Sequence, residues 1–331
     1  PQLEEISKEG EEGRKKIQQY TKYLGVALAV VQAFALVQGI FSGAFGNGGL
    51  VEKVIAILVM VAGASFVVWI GDLITEHGVG NGVSFIIFLG IVVQMPGRLY
   101  GMIQAVLAGK MNVLVLLLII LITIAITVVV VLLNEGERKV SVQYAKRVVG
   151  RKMYGGQATH IPIKVNMAGV MPIIFASALL AIPQTLALLF GGGVQRFVAQ
   201  YLTPQGWVGF FVQHAFQVLL IILFAYFYNS IQFNAYEYSR NLQQSGGFIP
   251  GIRPGKPTTD YLQRIVGRIT LVGAIVLAVL SVIPGLVNQI FSVRLGFGGT
   301  SIIIVVGVVL EMVRTLEAQL QMRHYRGFLK R

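Results

Sequence analysis

Five basic side chains stand in settings that single them out for recognition chemistry. Arg253 lies near the middle of "SGGFIPGIRPGKPT" (residues 245–258). There Pro250, Pro254 and Pro257 each fix φ and disfavour helix in the residue before them, while Gly251 and Gly255 permit tight turns between them. The product is a stiff loop holding an arginine, whose planar fork of five donors suits a carboxylate or a phosphate. The same pentapeptide, "GIRPG", also fits an arginine that ties down its own loop through backbone carbonyls. The other four, Lys146, Arg147, Arg151 and Lys152, lie between the alternating stretches "KVSVQYA" and "THIPIKV", with Gly155 and Gly156 between the arms. That pattern predicts a β-hairpin. Its charges fit either topology signals beside anionic lipid or a tip that meets protein or RNA.

Other chemistry is missing. The chain has no cysteine, which removes disulfides, thiol catalysis and thiolate metal sites. Its four histidines, His77, His160, His214 and His324, form no ligand pair, so no metal site is expected. The Gly-rich "HGVGNGVS" (77–84) lacks the Lys-Ser/Thr of a phosphate loop and the spacing of a dinucleotide fingerprint; it reads as a tight turn between helices. No nucleophile stands with a base. The expectation is a protein that is not an enzyme and takes no cofactor.

The elements that position the basic loops are membrane helices. Only 12% of the 331 residues are charged, against about 25% in ordinary soluble domains, and the mean hydropathy is +0.73. Apolar runs near the length that crosses a bilayer as helix occupy residues 22–42, 51–73, 112–133, 168–190, 207–228, 264–285 and 298–313. A shorter run, Val83 to Met95, ends at Pro96. The ten-residue alternating strands of an outer-membrane barrel are absent. If the short run spans, 22 of the 27 Lys and Arg fall on one side of the membrane, as the positive-inside rule asks. The fold class expected is therefore all-α: a polytopic bundle of about eight spans with both termini cytoplasmic.

This topology defines a cytoplasmic amino segment, 1–21, two long basic cytoplasmic loops, 134–167 and 229–263, and a cytoplasmic tail, 314–331. In the amino segment Glu11 and Glu12 precede Lys15 and Lys16 by four, the favourable order on a helix. The chain opens on Pro1 and shows no signal peptide, so the expectation is a segment with sequence missing upstream.

Glu52, Lys53, Asp72, Arg264, Arg268 and Glu311 fall near span ends and no span centre holds a charge, which weighs against an ion-coupled solute transporter. A membrane-embedded enzyme would need a polar catalytic cluster, and none emerges. The polar residues near span centres (Gln32, Ser177, Gln184, His214 and Gln217) fit interhelical hydrogen bonds as well as any functional role. Ile87 and Ile91, four apart, share one helix face.

Four segments, "ITEHGVGNGVSFIIFLGIV" (74–92), "GGQATHIPIKVNMAGVMPIIFAS" (155–177), "GGFIPGIRPGKPT" (246–258) and "GGTSIIIVVGVVLE" (298–311), together resemble the bacterial SecY family of protein-translocation channels, in order and over essentially the whole chain. The resemblance implies a ten-span, pseudo-twofold clamshell. This chain would run from just before the third span to the end of the tenth, without the first two spans and the plug. Residues 22–107 would complete the N-terminal half with three spans, and 108–331 would form the C-terminal half with five.

Carried onto matching positions, the resemblance implies a pore ring including Ile87, Ile91, Ile174 and Ile304, and a lateral gate using the helices of Gln32 and Ser177. It implies Arg253, Arg151, Lys152, Lys146 and Arg147 as contacts for the SecA motor ATPase and the ribosome with its RNA, with Arg323 and Arg326 of the tail added to that surface. SecE, SecG, signal sequences, nascent polypeptides and membrane lipid complete the implied partners. The implied function is conducting unfolded secretory chains across the bacterial cytoplasmic membrane and releasing membrane segments sideways.

Overall fold

The computed structural model describes residues 11–41, 43, 49–144, 147–149, 152–154, 158–190, 192–203, 206–291 and 298–328. Among them are eight helical segments long and apolar enough to cross a membrane, the number expected. Helix is what such sequences must form, because hydrocarbon offers backbone groups no outside partner. The segments are α1 (Glu11–Gly39), α2 (Leu50–His77), α3 (Gly82–Val92) running on into α4 (Met95–Leu107), α5 (Val113–Glu135), and, after four strands, α6 (Met171–Phe190). A short α7 (Gly192–Tyr201) precedes α8 (Gly206–Gln232) with α9 (Ala235–Gln244), then α10 (Lys256–Phe291) and α11 (Gly299–Phe328).

One boundary differs from the sequence reading. The run from Val83 does not stop at Pro96, because Pro96 occupies the opening turn of α4, where its missing N–H is no loss, and the apolar segment continues to Leu107. The third span is thus 26 residues from Gly82 and no longer short.

The chain packs as two compact units, Pro1–Ile86 with Leu179–Phe210, and Ile87–Ala178 with Phe211–Arg331. In the first, α1 and α2 form an antiparallel pair, with Lys22 Nζ 2.7 Å from Asp72 Oδ2. "HGVGNGVS" is the tight turn expected. Gly82 N–H donates to Thr75 Oγ1 (2.9 Å), Asn81 Oδ1 accepts from Ser84 N–H (3.0 Å), and Gly80 has φ +75°. Any side chain at Gly82 would meet the Gly71 carbonyl, its Cβ only 2.0 Å from that oxygen.

In the second unit α11 packs along α5 and α10. Bare backbone allows close approach: a Cβ at Gly299 of α11 would stand 2.4 Å from the Ser281 carbonyl of α10, and one at Gly273 of α10 2.9 Å from that of Val165, which lies outside the helices. Polar pairs close the contacts. Gln217 Nε2 donates to Ser281 Oγ (3.3 Å), and the Arg314 guanidinium on α11 donates to the Asn134 carbonyl (2.6 Å) and Glu135 Oε1 (2.8 Å) at the end of α5.

The strands are β1 (Glu137–Tyr144), β2 (Arg147–Val149), β3 (Lys152–Tyr154), β4 (Ala158–Lys164) and β5 (Gly247–Phe248). The expected hairpin is there: β1 pairs antiparallel with β4, Val140 opposite Ile161 and Gln143 opposite Ala158. Two features go beyond that expectation. β2 and β3 form a second antiparallel pair within the hairpin's connection, and β5 adds to the free edge of β1, giving the order β4-β1-β5.

Candidate docking platform and pore-lining helices

The two basic loops fold into one body. Alternation in β1 buries Val140 and Val142 while Arg138, Lys139, Ser141 and Gln143 stay exposed. The buried face meets Ile163 of β4, Ala235 and Leu242 of α9, Ile249 just after β5, and Leu262, Ile265 and Val266 of α10 in a single apolar core. At 36 residues α10 is about 54 Å long, well beyond the roughly 30 Å of hydrocarbon, so its first turns stand clear of the bilayer to carry this core.

Arg253 projects from that body in a fixed frame. Gly246, Gly251 and Gly255 take φ of +71°, +82° and +99°, conformations that side chains disfavour. Ile252 N–H donates to the Ile249 carbonyl (3.0 Å), Thr258 Oγ1 to the carbonyl of Arg253 itself (2.9 Å), and Ser239 Oγ on α9 to the Gly255 carbonyl (2.9 Å). Tyr144 lies so close to Gly247 that a Cβ there would come within 2.9 Å of its ring, and the two residues pair across β1 and β5. The loop is thus tied by its backbone and by neighbouring hydroxyls. The Arg253 side chain is exposed, and among the described residues none hydrogen-bonds or pairs with its guanidinium. Arg138, Lys164, Arg240, Lys256 and Arg264 are exposed on the same body, and Glu137 engages Lys139 at 3.6 Å.

Of the other predicted contacts, Arg147 lies on β2 and Lys152 on β3, with Lys152 opposite Val149 and Arg147 opposite Tyr154. Their side chains, with those of Arg323 and Arg326, lie outside the described ones, as do residues Lys146 and Arg151 altogether. Sequence reasoning missed Ser239, Thr258 and Tyr144, which hold the loop. Their signal was faint: Thr258 closes the quoted segment, and Tyr144 ends the alternation of β1.

Ile87 and Ile91 sit one turn apart on α3, half-buried; Ile174 is half-buried in the first turns of α6, and Ile304 is 6% exposed near the start of α11. All four belong to the second unit. Gln32, on α1 of the first unit, is half-buried. Ser177, on α6 in the second, donates to the Ile173 carbonyl one turn back (2.8 Å), so its hydroxyl is satisfied within its own helix.

The family profile described as SecY matches residues 1–313. The protein translocase subunit SecY of Mycobacterium tuberculosis is 43% identical over 354 aligned residues, covering 100% of this chain and 78% of that protein. Its counterparts in Thermus thermophilus and Escherichia coli are 41% and 40% identical, again over 100% of this chain and over 77% and 76% of theirs. Among solved structures, one of a protein-conducting channel superposes with a TM-score of 0.71 at 20% identity, covering 93% of this chain and 74% of that one. A chain of an idle yeast Ssh1 complex bound to the yeast 80S ribosome gives 0.65 at 16%, over 92% and 73%. These structural likenesses show the fold.

Proposed function

The chain belongs to the SecY family, the protein-conducting subunit of the Sec translocase, and from that premise we propose how its parts divide the work. The fused basic loops dock the energy source, a SecA motor or a translating ribosome, and the helices below conduct the polypeptide. The chain hydrolyses nothing itself. It sits in the bacterial cytoplasmic membrane with both termini cytoplasmic, the orientation that places 22 of its 27 basic residues inside. Residues 22–107 and 108–331 contribute to the two halves of the clamshell, with SecE bracing them and SecG at the periphery.

Ile87, Ile91, Ile174 and Ile304 line the constriction. Branched apolar side chains expel water and so block ions, yet offer a passing chain no charge or strong hydrogen bond to hold it. Their partial or complete burial supports faces turned toward protein or lumen over faces turned to lipid. Gln32 and Ser177 mark the gate helices. A hydroxyl already satisfied by its own helix supports a seam free to exchange its neighbour for a signal sequence.

What carries the reading is one coincidence: a family match along nearly the whole chain in a fold whose two basic loops share a single core. The test replaces all four isoleucines with asparagine in the complete channel. Ion conductance in planar bilayers should rise, with thermal stability largely kept. Unchanged conductance with a severe loss of stability would make them packing residues.

A further inference from the structure

The inference concerns the connection between α6 and α8, on the side of the membrane that carries few basic residues. It contains a ten-residue helix, α7, too short to span and held between the ends of two spans, so it lies at the membrane surface. Its apolar residues Val194, Phe197, Val198 and Tyr201 recur at the spacing of one helix face; Val198 is buried and Tyr201 half-buried, yet Val194 and Phe197 are 49% and 58% exposed. An amphipathic helix beside two spans whose stripe leaves Val194 and Phe197 uncovered rests in the interface with those side chains toward the acyl chains.

The far end of α7 is fastened. Gln184 Nε2 of α6 donates to the Leu202 carbonyl (2.7 Å), and Gly209 of α8 packs so closely that a Cβ there would stand 2.3 Å from the Thr203 carbonyl and 2.8 Å from that of Gln200. This corner borders a shallow, open hollow of about 460 Å³ lined by Arg196, Ala199, Gln200, Gly206, Trp207 and Val208. Arg196 and Gln200, four apart, present donors to it. Trp207 supplies the amphipathic ring typical of headgroup depth. Residues 191–206 include no Asp or Glu, and among the described residues Arg196 forms no ion pair.

We propose that this corner binds the phosphate of an anionic phospholipid, with the Arg196 guanidinium and the Gln200 amide on the phosphate oxygens and Trp207 against the glycerol and upper acyl region. A cation held at the interface without a counter-charge among the described residues, next to a hollow with both polar and apolar walls, has the complementarity such a lipid requires. The site rests on the membrane-surface position of α7 and is independent of the docking and pore readings.

Trp207 reports on it directly. These 331 residues hold two tryptophans, so Trp69→Phe, with phenylalanine also replacing any tryptophan elsewhere in the channel, leaves Trp207 as the sole tryptophan emitter. The channel is placed in nanodiscs of phosphatidylcholine and phosphatidylglycerol, with brominated acyl chains on one lipid or the other at matched mole fraction. Bromine on phosphatidylglycerol should quench Trp207 more strongly, corresponding to about fivefold local enrichment of that lipid, and Arg196→Gln should abolish the difference. Equal quenching by the two lipids, or a difference that survives Arg196→Gln, overturns the proposal. So does the absence of quenching by either, which places α7 away from the membrane. Inorganic phosphate that erases the enrichment where chloride of equal ionic strength does not would make free phosphate the ligand and overturn the lipid assignment.

Discussion

The candidate docking platform and the membrane spans of the same unit are held together by different physics. The platform has a core like that of a small soluble domain: Val142, Ile163 and Leu262 are wholly buried, and apolar side chains from two loops and two helices meet in it. Water surrounds it, so hydrophobic burial drives its assembly. Between spans that drive vanishes, because lipid is as apolar as leucine, and association rests on close packing and polar contacts. There the structure has glycine against backbone, at Gly299 with Ser281, and scattered polar links such as Gln217 to Ser281. The same chain therefore tolerates opposite kinds of change in its two regions.

The largest effect should come from adding volume between spans. Gly299→Val puts a branched side chain where a Cβ would already stand 2.4 Å from the Ser281 oxygen and 2.8 Å from that of Leu280, and backbone has nowhere to yield. We expect loss of well over 3 kcal/mol, among the most damaging classes of single substitution, seen as loss of monodisperse protein in detergent. Gly267→Ala is the control. Nothing lies within 4 Å of its Cβ position on α10, so it should be neutral or stabilise by up to about 1 kcal/mol through helix propensity. Equal damage from both would refute close approach as the holding principle.

Next comes removal of volume from the platform. Leu262→Ala empties a wholly buried position and should cost the platform about 2–5 kcal/mol. Because this core lies outside the hydrocarbon, the damage should stay local: protease should cut within 137–164 and 246–258 while the spans remain protected. Cleavage spread through the spans as well would show that the two regions unfold as one.

The contrast also explains what the sequence disclosed. Hydropathy marked seven of the spans, the placement of Lys and Arg admitted the eighth from Val83, and strict alternation in "KVSVQYA" marked β1, because each pattern extends over many residues. The two-residue β5 has no period to read; it exists because Ile249 and Leu242 join a core whose other half is a hundred residues earlier in the chain. Pro96 misled for a local reason, since a proline that ends one helix also fits the first turn of the next. For the site, "GIRPG" exposed the presented arginine. Only the fold revealed that Ser239 and Thr258 hold its frame, because single hydroxyls carry no sequence signature. Glycines of close approach were equally silent: Gly299 and the open Gly267 look alike until their neighbours are placed.

The smallest effect on stability, and the sharpest on function, belongs to Arg253→Glu. Its side chain is exposed and free of partners among the described residues, while the backbone of its loop is secured by Thr258, Ser239 and three glycines of positive φ, none of which the substitution touches. An exposed change of this kind should move stability by no more than about 0.5 kcal/mol. A reversed charge should nonetheless repel an acidic or phosphate-bearing partner and cripple SecA-driven translocation. Arg253→Lys should restore it only in part, because it keeps the charge and loses the planar fork. Translocation rate and thermal stability in detergent, measured side by side, decide the matter. A rate that collapses at constant stability makes Arg253 a docking residue; a parallel fall of both would make it a strut of its own loop, despite the absence of any visible partner for it to brace.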